Sequence, residues 1–398
     1  MRQNFEGVSY LIGTEDILRD MRKAPALPLF SGRVQDFLAA LSKKLLAEPR
    51  AKAYPDLMDY AFWVRAASLK KMAGRYPQKE RKIGRGISFH IAPSNVPMAF
   101  ALSFTAALLA GNSCIVRLSE KTFPQADILL EAIENTLHDF CDLKPCLCFI
   151  RYPHDEEITA ALSAICDVRL IWGGDQTISA IRKAPLPPRA VELAFADRYS
   201  LAVIDADRYL EMDREKVAEK FYLDTYYIDQ NACSSPRLVC WLGGNVEQAR
   251  ACFWGGLAKL VRQDYQLAPI QTINKFIAFC KAAAQGGVKL HKEDNLIFRV
   301  ELENLEPEIM AYKEGGGFFF EYTAQSLEEL LPMLEKPCQT ICCVGIEPEK
   351  MRQMVTRNGV RGGDRVVSVG ETNKLTLLWD GYDLCESMSR YVNVGNEE

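Results

Sequence analysis

Short, nearly continuous apolar runs alternate along this chain with longer segments in which apolar residues recur every three or four positions. The runs lie at 86–91, 114–117, 146–151, 168–172, 201–205, 237–242, 318–322, 339–345 and 375–379. Each is bounded by turn-forming residues, which predicts strands. Between them, 125–138 places Ile128, Leu129, Ala132, Ile133 and Leu137 on one helical face, with Asp127, Glu131 and Glu134 in polar positions. Val217 and Phe221 share a face of a second helix over 214–227. Strands alternating with amphipathic helices predict an α/β protein with largely parallel sheets. The segment Arg182-Lys-Ala-Pro-Leu-Pro-Pro-Arg189 supports neither helix nor central strand, because proline removes a backbone donor and fixes φ. A domain boundary is expected there, with one domain over 1–188 and another beginning at 189.

The 398 residues are 48% hydrophobic and 25% charged, enough for two domains with cores of their own, and a disordered or fibrous chain is excluded. Lys plus Arg number 48 against 52 Asp plus Glu, so the net charge of -4 gives no footprint for nucleic acid. The first residues lack a charged region followed by an apolar stretch, and the longest apolar run, 96–110, is shorter than the roughly 20 residues of a membrane span. A soluble cytoplasmic protein with no membrane span is expected, its 13 cysteines reduced.

Twelve of these thiols read as buried and inert. Cys146/Cys148 and Cys342/Cys343 lack the spacing that wraps a chain around zinc, so no metal is expected. Cys233 differs. It stands in Asp229-Gln-Asn-Ala-Cys-Ser-Ser-Pro-Arg237, a small polar segment between a helix and a strand. There a thiol is either an activated nucleophile or a buried turn residue, and composition alone leaves both open. None of the four histidines has a flanking motif that would pair it with this cysteine, although His90 ends a strand just before a proline loop.

That loop, His90-Ile-Ala-Pro-Ser-Asn-Val-Pro97, is followed by an apolar helix, the turn Gly111-Asn112, and a strand ending Arg117-Leu-Ser-Glu120. Ile171-Trp-Gly-Gly-Asp175, Val191-Glu-Leu193 and Gln230-Asn-Ala-Cys233 come next, in that order. The set resembles the aldehyde dehydrogenase superfamily. Asp229-Gln-Asn-Ala-Cys-Ser-Ser-Pro236, Arg198-Tyr-Ser-Leu-Ala-Val-Ile204, Gly363-Asp-Arg-Val-Val367 and Trp379-Asp-Gly-Tyr-Asp-Leu384 are similar to its LuxC-type acyl-CoA reductases. The resemblance runs from about residue 84 to the C-terminus.

It implies an aldehyde dehydrogenase-like fold: a Rossmann-type NADP(H)-binding domain over 1–188, completed by about 371–398, and a catalytic domain over 189–370 carrying Cys233. It also implies NADPH-dependent reduction of a fatty acyl-CoA, or another acyl thioester, to the aldehyde through an acyl-cysteine. Cys233 would be the nucleophile, Asn95 an oxyanion donor and Glu192 a third catalytic residue. Ser94, Arg117, Ser119, Glu120, Trp172, Gly173 and Gly174 would bind the cofactor, with Arg117 clasping ribose hydroxyls or a 2′-phosphate and the glycines allowing close backbone approach. An acyl-protein synthetase partner and a homo-oligomer are expected on the same ground. The alternatives are an acyltransferase or thioesterase using the same cysteine without hydride transfer, and a non-catalytic subunit of a fatty acid reductase complex. The superfamily's Glu-x-Phe-Gly-Pro motif is absent, the corresponding region reading Lys313-Glu-Gly-Gly-Gly-Phe318.

Overall fold

The structure, a computed structural model, describes residues 5–395; the residues at either end, including most of the amino-terminal stretch read above, lie outside the description. The chain forms two compact units, residues 1–196 with 375–398, and residues 197–374. Each is built on its own sheet, so the α/β expectation holds.

In the first unit six strands run in the order β1-β5-β4-β3-β6-β7: β1 (Ser9–Ile12), β3 (Ile87–Ile91), β4 (Ser113–Leu118), β5 (Leu147–Arg151), β6 (Val168–Trp172) and β7 (Val191–Phe195). All neighbours are parallel except β1, an antiparallel edge on β5. The order reverses at β3, with β4 and β5 on one side and β6 and β7 on the other. This is the doubly wound arrangement that opens a ligand crevice at the strands' carboxyl ends. Apolar clusters cover both faces of the sheet. That explains why the central strands read as unbroken apolar runs and not as alternating ones. A short β2 (Lys82–Gly84) pairs with β17 (Ser389–Tyr391) of the returning tail, and β15 (Leu378–Trp379) with β16 (Tyr382–Asp383) closes a hairpin in the same tail. Gly111 fixes the turn between the buried helix Ala99–Leu109 and β4: its φ of 91° is left-handed, and a Cβ there would strike the Leu27 carbonyl.

The second unit holds seven strands in the order β10-β11-β12-β9-β8-β13-β14: β8 (Tyr199–Asp205), β9 (Pro236–Leu242), β10 (Val288–His291), β11 (Phe298–Leu302), β12 (Phe318–Thr323), β13 (Cys338–Val344) and β14 (Arg365–Ser368). Again every pair is parallel except that made by the edge strand β10. Adjacent Cys342 and Cys343 fall into the clusters on opposite faces of this sheet, as period-2 geometry requires.

The boundary expected at 188 falls at 196/197, and the tail rejoins the first unit at 375. The proline segment is a loop inside the first unit, because Val191–Phe195 goes on to pair in register with β6. The run 375–379 forms strand only at its last two residues. Nine cysteines are buried, but Cys141 and Cys280 are exposed and Cys252 is partly so. For these three the reading as buried thiols is corrected. Both exposed residues lie on or just past helices, where an apolar-looking residue need not face inward.

Candidate active site

Cys233 lies on the loop entering β9, the central strand of its sheet. The helix Arg214–Asp224 and the 3-10 turn Tyr226–Ile228 lead into this loop. Asp229 and Gln230 then both take φ of 54°, the left-handed region that non-glycine residues occupy only when their surroundings enforce it. The enforcing contacts are specific. Buried Gln230 accepts the Gly317 and Phe318 amides on its Oε1 (2.7 and 3.2 Å) and donates from Nε2 to the Pro236 and Phe318 carbonyls (3.0 and 3.4 Å). The Asp229 carboxylate takes the Tyr265 hydroxyl at 2.7 Å. Arg237 donates to the Glu314 and Gln230 carbonyls. Burial pulls its guanidinium down to about 10, against the attraction of Glu314, Asp197 and Cys233.

The cysteine itself is partly exposed. Its carbonyl accepts the Ser200 hydroxyl at 2.6 Å, and Ser234 beside it donates to Asn373 Oδ1 at 2.9 Å. The sulfur accepts a hydrogen bond from Gln339 Nε2 at 3.1 Å. Gln230, Arg237 and Gln339 were not singled out from the sequence. Gln230 stood inside the quoted motif and could have been asked about, but Gln339 lies 106 positions away in an apolar strand and left no signal.

In the first unit the expected cofactor residues gather at the carboxyl ends of the strands. Ser94 and Asn95 occupy the exposed loop after β3, Arg117 is the penultimate residue of β4 with Ser119 and Glu120 following, and Trp172, Gly173 and Gly174 end β6 and open the helix Asp175–Ile181. A cavity of about 520 Å³ lies on this side, lined by Ile91, Arg117, Tyr152, Thr159, Gln176 and Thr177 among others. Arg117 is held in place at this lining. One guanidinium nitrogen donates to the Tyr152 carbonyl at 3.1 Å, the group stands 4.8 Å from the Tyr152 ring centre, and its Nε is buried with no partner.

Of the ten residues singled out, only Arg117 lines that cavity. Trp172 turns into the core, stacked on Phe195 with ring centres 3.9 Å apart and donating to Ser103 at 3.4 Å. Gly173 donates its amide to the Phe195 carbonyl, and open space lies where a Cβ on Gly174 would stand. Glu192 is a strut. Its register partner Arg169 donates to Oε2 at 2.9 Å and Arg182 to Oε1 at 2.7 Å. Burial would raise this carboxyl, but the two guanidiniums outweigh it and hold the group below the usual carboxylate range. With both oxygens engaged Glu192 braces β6 to β7. His90 is likewise enclosed, between the Ser103 and Ser88 hydroxyls at 2.6 and 2.8 Å, and burial pushes it down to about 3.

Comparison with known proteins agrees with these features. The family model described as acyl-CoA reductase (LuxC) matches residues 50–391. The long-chain acyl-protein thioester reductase of Aliivibrio fischeri is 25% identical over 299 residues, covering 73% of this chain and 59% of that protein. The protein of the same name from Photorhabdus luminescens is 24% identical over 338 residues, covering 81% and 66%. The chain thus spans about two thirds or less of the length of these relatives. Among solved structures, an NAD-dependent aldehyde dehydrogenase from Sinorhizobium meliloti superposes with a TM-score of 0.67 at 12% identity, covering 96% of this chain and 86% of that one. A Thermus thermophilus 1-pyrroline-5-carboxylate dehydrogenase gives 0.64 at 12% identity, covering 96% and 83%. The fold is therefore aldehyde dehydrogenase-like, and with the match extending over most of its length the chain belongs to the acyl-CoA reductase (LuxC) family.

Proposed function

We propose that this protein reduces a long-chain acyl thioester, carried on coenzyme A or on a protein, to the aldehyde through an acyl-enzyme on Cys233, with NADPH as reductant. The observation that carries the reading is Cys233 itself: a partly exposed thiol on a braced left-handed loop, with a buried amide donating to its sulfur. A nucleophile needs that combination of access and fixed direction. Cys233 attacks the thioester carbonyl and the donor thiolate leaves. Asn95 is assigned to the oxyanion, as the family resemblance implies.

The cavity beside Arg117 fits a nicotinamide dinucleotide on two counts. It lies at the carboxyl ends of a doubly wound sheet, and it holds a guanidinium with an orphaned Nε. Arg117 would hold ribose or phosphate oxygens, and Tyr152 would support the guanidinium from its ring face. A bound reduced nicotinamide supplies the hydride that turns the acyl-cysteine into a thiohemiacetal. Glu192, occupied by two arginines, takes no part. An acyl-protein synthetase as donor and a homo-oligomeric assembly belong to the same proposal.

The test is to incubate the protein with tetradecanoyl-CoA and NADPH, following nicotinamide absorbance and the mass of the Cys233 peptide. Acylation with loss of NADPH is expected, and neither should occur in Cys233→Ala. Acylation that consumes no NADPH would replace the reductase by an acyltransferase or thioesterase. Full activity in Cys233→Ala would remove the nucleophile.

A further inference from the structure

Cys233 sits over the amino ends of three strands: its own β9, β8 through Ser200, and β13 through Gln339. Gln339 is the second residue of β13 and is fully buried. Its Oε1 takes the Thr340 hydroxyl at 3.4 Å, and its Nε2 donates to the sulfur. Thr340 is tied in turn, its amide donating to Ser200 Oγ at 3.0 Å. The amide is thus oriented by groups on the strand that carries it and on the neighbouring one. A buried primary amide directed at a thiol is an odd device for stability alone, since a neutral thiol is a weak acceptor. A thiolate is a strong one, and a donor fixed on the charged form favours that form.

Resting on the reductase reading above, we propose that Gln339 is a catalytic residue that holds the Cys233 sulfur as a thiolate, both when it attacks and when it leaves. In the attack the Sγ–C bond forms as the C–S bond of the donor thioester breaks, and the donor departs as a thiolate that takes a proton from water. After reduction by the nicotinamide hydride and protonation of the oxygen, the thiohemiacetal collapses. The C–Sγ bond then breaks, its electron pair returns to sulfur, the hydroxyl proton passes to water and the aldehyde is released. In both steps negative charge is on Cys233 Sγ beside the Gln339 NH2. Within the unit, Arg237 on β9 interacts with Cys233, and Glu314 in the glycine loop and Asp197 ahead of β8, the last paired with Lys313 at 2.8 Å, act on Arg237 in turn.

The experiment is alkylation of Cys233 by iodoacetamide as a function of pH, read by peptide mass spectrometry without acyl donor or nucleotide. Exposed Cys141 and Cys280 act as internal references. In Gln339→Met, close in volume but with no donor, the inflection should move up by about one pH unit. At pH 7 the thiolate fraction then falls about tenfold while each thiolate becomes about threefold more nucleophilic, so alkylation slows about threefold. Gln339→Glu, which keeps the shape and adds a negative charge, should move the inflection further the same way. It serves as the second variant should Gln339→Met fail to fold by circular dichroism. An inflection unchanged from wild type in a folded variant would overturn the assignment. A shifted inflection in a protein that neither acylates nor consumes NADPH with tetradecanoyl-CoA would leave Gln339 in place and sink the reductase reading instead.

Discussion

Buried Arg169 in the first unit and buried Lys275 and Asp224 in the second hide charge in different ways. In the first, buried Arg169 meets a carboxylate, Glu192, and spends its remaining donors on Ser163 at 3.0 Å and the Ala184 carbonyl at 2.9 Å. In the second, buried Lys275 meets carbonyls, those of Asn295 and Gly316 at 2.6 Å and Leu296 at 3.4 Å, and stands 5.0 Å from the Phe298 ring centre. Buried Asp224 there meets the Gly370 and Thr372 amides and the Thr372 hydroxyl at 2.6, 3.1 and 2.9 Å. Dipoles replace lost hydration less fully than an opposite charge does. Burial accordingly draws Lys275 down to about 8 and pushes Asp224 up to about 6, whereas Glu192 stays low. The lesson is that Lys275 and Asp224, held by dipoles, sit close to neutralisation while Glu192, held by guanidiniums, stays charged, as buried Glu321 of the second unit is also held by Arg250 and Arg299 at 3.5 and 3.3 Å.

The hardest way to break this contrast is to remove the cation of the pair. Arg169→Met leaves Glu192 with Arg182 alone and unpairs the Ser163 and Ala184 partners, and should cost about 2–3 kcal/mol in urea denaturation. Hydrogen exchange should report the loss in peptides of the first unit and spare those of the second.

Acidification from pH 7 to 5 should separate the units with smaller effect and opposite signs. His90 has its usual value of 6.5 in the unfolded chain and about 3 when folded, so the unfolded state binds the proton first. Stability from this group is present above 6.5 and lost as pH falls, by about 2 kcal/mol at pH 5. Asp224 runs the other way, from 3.8 unfolded to about 6 folded. The folded state binds that proton first, so the second unit should gain about 1 kcal/mol over the same interval. Exchange rates compared unit by unit at the two pH values check both signs, and parallel loss in both units would end the contrast.

The smallest effect concerns the helix Pro269–Ala283, whose inward face offers Lys275, Ala278 and Ala282 while Ile270, Ile273, Phe276 and Ile277 stand in solvent. Ile273→Gln should leave the thermal midpoint of the protein nearly unchanged, within about 0.5 kcal/mol. A loss of several kcal/mol would mean that this face is packed.

That helix also marks where reading the sequence stops. Periodicity identifies an apolar face but not which side it turns to, and Cys280, read as a buried thiol, is exposed. Runs such as Cys146-Leu-Cys-Phe-Ile-Arg151 were legible because both sheets are covered on both faces. The edge strands β10 and β14, and β7, were missed because charged or half-exposed residues interrupt them: Val288-Lys-Leu-His291, Arg365-Val-Val-Ser368 and Val191-Glu-Leu-Ala-Phe195. Among candidate site residues, the polar company of Cys233 matched its partly exposed loop and the strand-end place of Arg117 its position in a cavity wall. The braces around Cys233 come from residues 314–318 and 339, remote contacts that only the folded sheet brings together. For Glu192 the tripeptide Val191-Glu-Leu193 gave no sign that Arg169 and Arg182 hold its oxygens.

The buckle that Gln230 makes with Gly317 and Phe318 bears on how far this cysteine motif can be moved between proteins. The nine residues from Asp229 to Arg237 are not a portable cassette. Gly317 has φ of 88° and a Cβ there would strike the Leu296 carbonyl and the Tyr226 hydroxyl, so the receiving loop tolerates little variation. A graft that carried the cysteine segment alone would relax out of its two left-handed residues. One that also brought 314–318 would carry the scaffolding that aims the thiol.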